Sequence, residues 1–158
     1  MPTETVSLRP AQPDDQQFLL EVYASSRLEE LAPVPWTDSQ RQAFLQMQFL
    51  AQDSYYKERF PDAAYQVILV NNEPAGRLYV LRKEKTIRIL DIALLHRYRN
   101  TGVGGFLIRG LLDEASKAGK PLQVYVETFN RSLSLFQRLG FEKIAAEGIN
   151  FLLEWQPR

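Results

Sequence analysis

The chain has 158 residues, 45% hydrophobic and 24% charged, with 19 acidic and 19 basic residues and a formal net charge of zero. That length and composition suit one domain, 1–158, with enough apolar sequence to bury a core. The absence of cysteine and the single histidine, His96, exclude disulfides, a thiolate or histidine-cluster metal site and a cysteine nucleophile; the neutral balance without a nucleic-acid motif argues against nucleic acid, and no apolar run approaches the ~18 residues of a membrane span.

In chain order, the opening "MPTETVSLRP" has no apolar signal segment, so a cytoplasmic location is expected. "VSLRP" (6–10) reads as a short strand. "PDDQQFLLEVYASSR" (13–27) reads as a helix, with Asp14 as cap, Gln17 at capping-box spacing, and Phe18, Leu19, Val22 and Tyr23 at helical intervals. "APVPW" (32–36) breaks the chain. A second helix starts at Thr37, with Gln40 again at capping-box spacing. It carries one stripe of Phe44, Met47 and Ala51 and another of Leu45 and Phe49, read as core or in part as the lining of a substrate groove. Strands follow at 65–71, 75–83 and 86–95, the first two joined by a turn at "NNEP" (71–74). A helix at about 103–118 places Val103, Leu107, Leu111 and Ala115 on one face and stops at Gly119. A strand at 122–128, a short helix at 132–139 and a hairpin of "FEKIAA" and "INFLLEW" close a mixed α/β chain.

The charges are uneven. Residues 1–60 carry nine acids and five bases, and seven bases (Arg77, Arg82, Lys83, Lys85, Arg88, Arg97, Arg99) fall within residues 77–99. A polyanion would suit such a region, and so would a solvated surface. After the last of these bases come Gly102, Gly104 and Gly105, between a strand and a helix. Leu107 stands where a dinucleotide fingerprint needs glycine, and no G-K-[ST] completes a Walker loop. The remaining pattern, Arg99-x-x-Gly102-x-Gly104, strips side chains from a helix N-terminus. Its unsatisfied amides and dipole favour phosphate.

Four blocks of the sequence, in their order and spacing, resemble the Gcn5-related N-acetyltransferase (GNAT) superfamily: "SLRPAQPDD", "NEPAGRLYV", "LDIALLHRYRNTGVGGFLI" and "NRSLSLFQRLGF". The resemblance implies a mixed α+β fold: a central, mostly antiparallel sheet, helices on both faces, and a splayed strand pair that takes acyl-CoA. It implies an acyltransferase that moves acetyl from acetyl-CoA to an amine by direct attack in a ternary complex, without a metal. The loop Arg99, Asn100, Thr101, Gly102, Val103, Gly104 and Gly105 would hold the coenzyme A pyrophosphate. Main-chain groups near Ile92 and Leu94 would bond the pantetheine arm, and Asn130 would touch it or shape its exit. The first 60 residues would build the acceptor site, where Glu29, Glu30, Trp36, Tyr55 and Tyr56 suit a cation. A small-molecule amine is the expected acceptor, ahead of a protein amine. Trp155 and the terminal strand are a candidate homodimer edge.

The chain departs from the family pattern at several points. Asn100 and Thr101 replace the usual glycine and basic residue, leaving the charge to Arg97 and Arg99. His96, an expected exposed loop residue, stands where proline is common, and Asn130 lies six residues before Phe136 rather than seven. Phe136 holds the place of a tyrosine often assigned to protonate the departing thiolate. A thiol pKa of about 8.5 makes that acid useful but not obligatory; the larger need is a carboxylate to take the proton of an amine whose pKa is about 10.4. Asp91 and Glu127 are the candidate bases. Asp91 equally suits a structural pair with Arg77 or Arg88, and Glu127 an exposed strand end. Tyr125 alternates with Glu127 on one strand face and is the candidate replacement acid, with a packed tyrosine as the other reading. The alternative function is an acyl-CoA-binding sensor or interaction module with weak or no turnover, which Phe136 favours.

Overall fold

In the computed structural model, which describes residues 4–128, 130 and 132–157 without the side chain of Glu29, the elements run β1 (Val6–Pro10), α1 (Gln16–Leu31), α2 (Asp38–Arg59), β2 (Ala64–Val70), β3 (Glu73–Arg82), β4 (Ile87–Leu94), α3 (Val103–Ala118), β5 (Leu122–Glu127), α4 (Ser132–Arg138), β6 (Glu142–Glu147) and β7 (Asn150–Trp155). The strands form one seven-stranded sheet in the order β1-β2-β3-β4-β5-β7-β6. β1–β2, β5–β7 and β6–β7 are antiparallel, and β4–β5 is parallel. A parallel neighbour needs a long crossover, and α3 supplies it. The fold is mixed α+β with a mostly antiparallel sheet, as expected. Among the described residues no helix is long and apolar enough to cross a membrane.

By its internal packing the chain falls into two compact units, one holding the residues up to Leu78 with Ile92–Arg99, the other Tyr79–Asp91 with the chain from Asn100 onward. The first unit is cored by Leu19, Tyr23, Leu45, Phe49 and Val67. Of the two stripes expected on α2, only Leu45 and Phe49 go inward; Met47 is 62% exposed, and Phe44 packs on Trp36 with ring centroids 4.8 Å apart. The expected capping box at α2 forms: Thr37 N–H donates to Gln40 Oε1 at 2.9 Å and Gln40 N–H to Thr37 Oγ1 at 3.1 Å. In the second unit Val103, Leu107, Leu111 and Ala115 of α3 are buried, Gly119 ends that helix in the left-handed conformation, and α3 and α4 both pack on β5.

Two local expectations are corrected. The β2–β3 turn is narrower than 71–74: Glu73 and Pro74 belong to β3, and only Asn71 and Asn72 turn, with φ of 52° and 67°. Two positive φ values match the twist of a tight hairpin, and asparagine tolerates them. At α1, a 3₁₀ turn (Pro13–Asp15) precedes the helix, which runs on to Leu31, just before Pro33. Asp14 is exposed; the carboxylate that matters is Asp15. It accepts Gln12 N–H at 2.7 Å and both Arg9 guanidinium arms at 2.7 and 2.8 Å. Arg9 arrives from β1, so this choice is tertiary.

The Arg9 hydrogen bonds, helped by the Gln12 amide, hold the Asp15 carboxyl below its ordinary pKa. A carboxylate whose folded pKa is depressed contributes its full stability above the unfolded value, about 3.9, and loses it as pH falls through the folded one. Asp15→Ala is therefore expected to cost about 1–3 kcal/mol at neutral pH. The gap to the unsubstituted chain should close as the pH drops below about 3.9, which urea unfolding across that range would show.

Candidate functional site

β4 and β5 pair from Ile87↔Leu122 to Ile89↔Val124. Yet β4 continues to Leu94 and β5 to Glu127, where β5 remains paired with β7 up to Glu127↔Asn150. The paired register thus ends at Ile89 and Val124. Beyond it, the end of β4 is held within the first unit. Leu95 N–H donates to Ala75 C=O at 2.8 Å. A Cβ on Gly76 would fall onto the carbonyl oxygen of Ala93, with Leu94 Cα at 3.0 Å, so only glycine lets the β3 and β4 backbones approach there.

Arg99 is part of that bracing. Its Nε donates to Leu94 C=O at 3.1 Å and its Nη2 to Ser25 Oγ at 3.4 Å. The guanidinium expected to face pyrophosphate is turned onto its own strand end. A 3₁₀ turn over His96–Tyr98, closed by Arg99 N–H to His96 C=O at 3.1 Å, separates β4 from the glycines and was not legible in the sequence. His96 is exposed, as expected.

In the second unit the chain turns at Asn100 (φ 60°) and Gly102 (φ 89°). Gly102 caps α3 in the left-handed conformation, and the first helical bond runs from Phe106 N–H to Gly102 C=O at 3.0 Å. The amides of Val103, Gly104 and Gly105 precede it and have no carbonyl four residues back. Three consecutive amides at the positive end of a 16-residue helix make an anion seat. Gly104 itself has no positive φ; the backbone strain that a side chain would meet belongs to Gly102.

The catalytic candidates divide between two faces of the sheet. Leu122, Val124 and Val126 of β5 are buried, and Tyr125 and Glu127 share the opposite face, ~7 Å apart along the strand. Tyr125 is exposed rather than packed in the core, with the Arg88 guanidinium 5.2 Å from its ring centroid. Ile87 and Ile89 sit opposite Leu122 and Val124, and the alternation of β4 carries half-buried Asp91 to their face. The structure therefore brings Tyr125 and Glu127 together and sets Asp91 apart. Asn130 turns its Oδ1 toward α4, accepting Ser132 N–H at 2.9 Å and Ser132 Oγ–H at 2.8 Å. Phe136 is 1% exposed, edge-on to Phe141 at 5.1 Å.

The seven clustered bases do not act as one patch. In the first unit Arg77 is 3% exposed and donates to Gln52 Oε1 at 2.9 Å, and Arg97 lies over Tyr98. In the second, Arg82 pairs with Glu114 and Arg88 covers Tyr125. Strand alternation scatters what the sequence lists together. Of the expected acceptor residues, Glu30 pairs with Arg27 at 3.3 Å and Tyr55 is exposed beside Tyr56; the Glu29 side chain lies outside the described residues. Among the described residues no group of histidines, aspartates and glutamates is arranged to hold a metal.

Known structures share this fold. The chain resembles the N-acetyltransferase PaiA from Thermoplasma acidophilum, solved in complex with coenzyme A, at 17% identity over 96% of this chain and 99% of that one, with a TM-score of 0.71. A Gcn5-related N-acetyltransferase from Rhodopseudomonas palustris aligns at 18% identity over 99% and 98% of the two chains, with a TM-score of 0.69. An acetyltransferase from Thermus thermophilus aligns at 18% identity over 96% and 97%, with a TM-score of 0.68. No curated protein matches the sequence. The Acetyltransferase (GNAT) family matches residues 23–141, a span that takes in β4, the left-handed glycine and α3. On that match, the chain belongs to the GNAT acetyltransferase family.

Proposed function

We propose that the protein is an acetyl-CoA-dependent N-acetyltransferase acting on a primary amine, preferentially of a small molecule. The observation that carries this reading is the run of three amides after left-handed Gly102 that have no hydrogen-bond partner among the described residues, in a chain of this family. The residues suit the coenzyme. Val103, Gly104 and Gly105 offer amides to pyrophosphate, Asn100 and Thr101 line the same turn, and the main chain at Ile92 and Leu94 suits the amide-bearing pantetheine arm. Asn130, bonded to Ser132, shapes the start of α4. Bound acetyl-CoA supplies the activated thioester. Glu127 takes the ammonium proton that keeps the amine unreactive, and Tyr125, on the same face, donates its hydroxyl proton toward the leaving sulfur. Asp91, on the other face, is assigned to positioning.

The test is release of free thiol from acetyl-CoA against a panel of amines. Release that depends on the amine, and that falls by about 10²–10⁴ in Glu127→Gln, is the expected result. Coenzyme A binding with no release across the panel would instead assign an acyl-CoA-binding module.

Two binding predictions accompany this assignment. Gly104→Val places a branched side chain beside the three amides without forcing a positive φ, so calorimetry should show coenzyme A affinity reduced by roughly a hundredfold with the melting temperature little changed. Arg99→Ala removes a part-buried hydrogen bond to the end of β4 and should weaken coenzyme A about fivefold. Because that bond is to a carbonyl rather than to solvent-exposed phosphate, the loss should persist in high salt.

A further inference from the structure

We propose that Arg109, on α3, supplies the positive charge for the coenzyme A pyrophosphate, which the loop itself leaves to uncharged Thr101. This rests on the reading of the α3 N-terminus as the coenzyme site. A Cβ built on Gly105 would stand 3.2 Å from Arg109 Nη1 and 3.7 Å from its Cζ and Nη2. The guanidinium therefore lies over Gly105, one turn back from its own Cα, in the direction that helical side chains lean. Glycine at 105 leaves that space to the guanidinium, and Gly105 owns the third of the three amides. The guanidinium thus stands beside one of the three residues whose amides make the anion seat.

The surrounding charges isolate this arginine. Both acids of α3 are engaged elsewhere, Asp113 with Lys117 at 3.0 Å and Glu114 with Arg82 at 2.5 Å. Among the described residues Arg109 itself has no hydrogen bond, ion pair or ring contact. A cation beside a helix N-terminus opposes the macrodipole. A pyrophosphate there reverses the sign of that interaction and bridges the guanidinium and the amides.

The experiment is calorimetric titration of the full chain, and of Arg109→Ala and Arg109→Lys, with coenzyme A and with dephospho-coenzyme A, at low and high salt. Arg109→Ala is expected to weaken both ligands by the same factor, about tenfold at low salt, with the gap narrowing as salt rises. Arg109→Lys should recover only part of the affinity at low salt, since lysine keeps the charge but not the planar fork. The melting temperature of Arg109→Ala should hold, since the side chain is exposed and alanine favours a helix. Unchanged affinity in Arg109→Ala would overturn the proposal. A loss confined to coenzyme A, with dephospho-coenzyme A unaffected, would also overturn it and move Arg109 to the 3′-phosphate. Failure of the unsubstituted chain to bind either ligand would overturn the coenzyme reading itself, and the proposal with it.

Discussion

Gly76→Ala is expected to destabilise the protein by about 3 kcal/mol and to weaken coenzyme A in whatever fraction stays folded. Overpacking a filled interior costs about 1–3 kcal/mol when side chains give way. Here the obstacle is main chain, since the new methyl would occupy the position of the Ala93 carbonyl oxygen and touch Leu94 Cα. Relief requires β4 to move away from β3. That shift carries Ile92 and Leu94 with it, and their main-chain groups are the ones assigned to pantetheine. It also pulls against the Leu95–Ala75 and Arg99–Leu94 hydrogen bonds. Urea unfolding gives the stability change, and titration below the unfolding transition gives the affinity. A variant as stable as the unsubstituted chain would mean that the two strands do not approach this closely.

The second large effect belongs to Phe136. Its ring is enclosed and edge-on to Phe141, so Phe136→Ala should cost about 3–5 kcal/mol through lost burial and a residual cavity. Phe136→Tyr isolates the chemical question. If the sequence position alone decided the matter, an added hydroxyl would meet the sulfur and raise turnover. In the core of its unit the hydroxyl instead loses water, at about 1–3 kcal/mol unless it finds a partner. The expected result is a lower melting temperature with no gain in thiol release. Tyr125→Phe should then lower kcat more than KM, because Tyr125 is the exposed phenol on the Glu127 face. A Phe136→Tyr variant with turnover raised by the ~10²–10⁴ of general-acid catalysis would place that ring beside the sulfur and remove the role given to Tyr125.

What the sequence determined by itself is the part of the molecule built from short-range interactions. The Thr37–Gln40 capping box, the apolar face of α3, the stop at Gly119 and the alternation that puts Tyr125 with Glu127 each depend on residues a few positions apart, so spacing alone reveals them. The anion seat is of this kind, because the first amides of any helix lack partners within it. Only the tertiary structure decided the rest. It gave the cap of the first turn to Asp15 because Arg9 arrives from another element, and it turned Arg99 back onto Leu94. It ended the β4–β5 ladder at Ile89 and Val124, separated Asp91 from Glu127, and buried Phe136. Each of these outcomes depends on which strands lie side by side and in what register. A register changes by one residue without altering any local spacing, yet it moves every side chain to the other face.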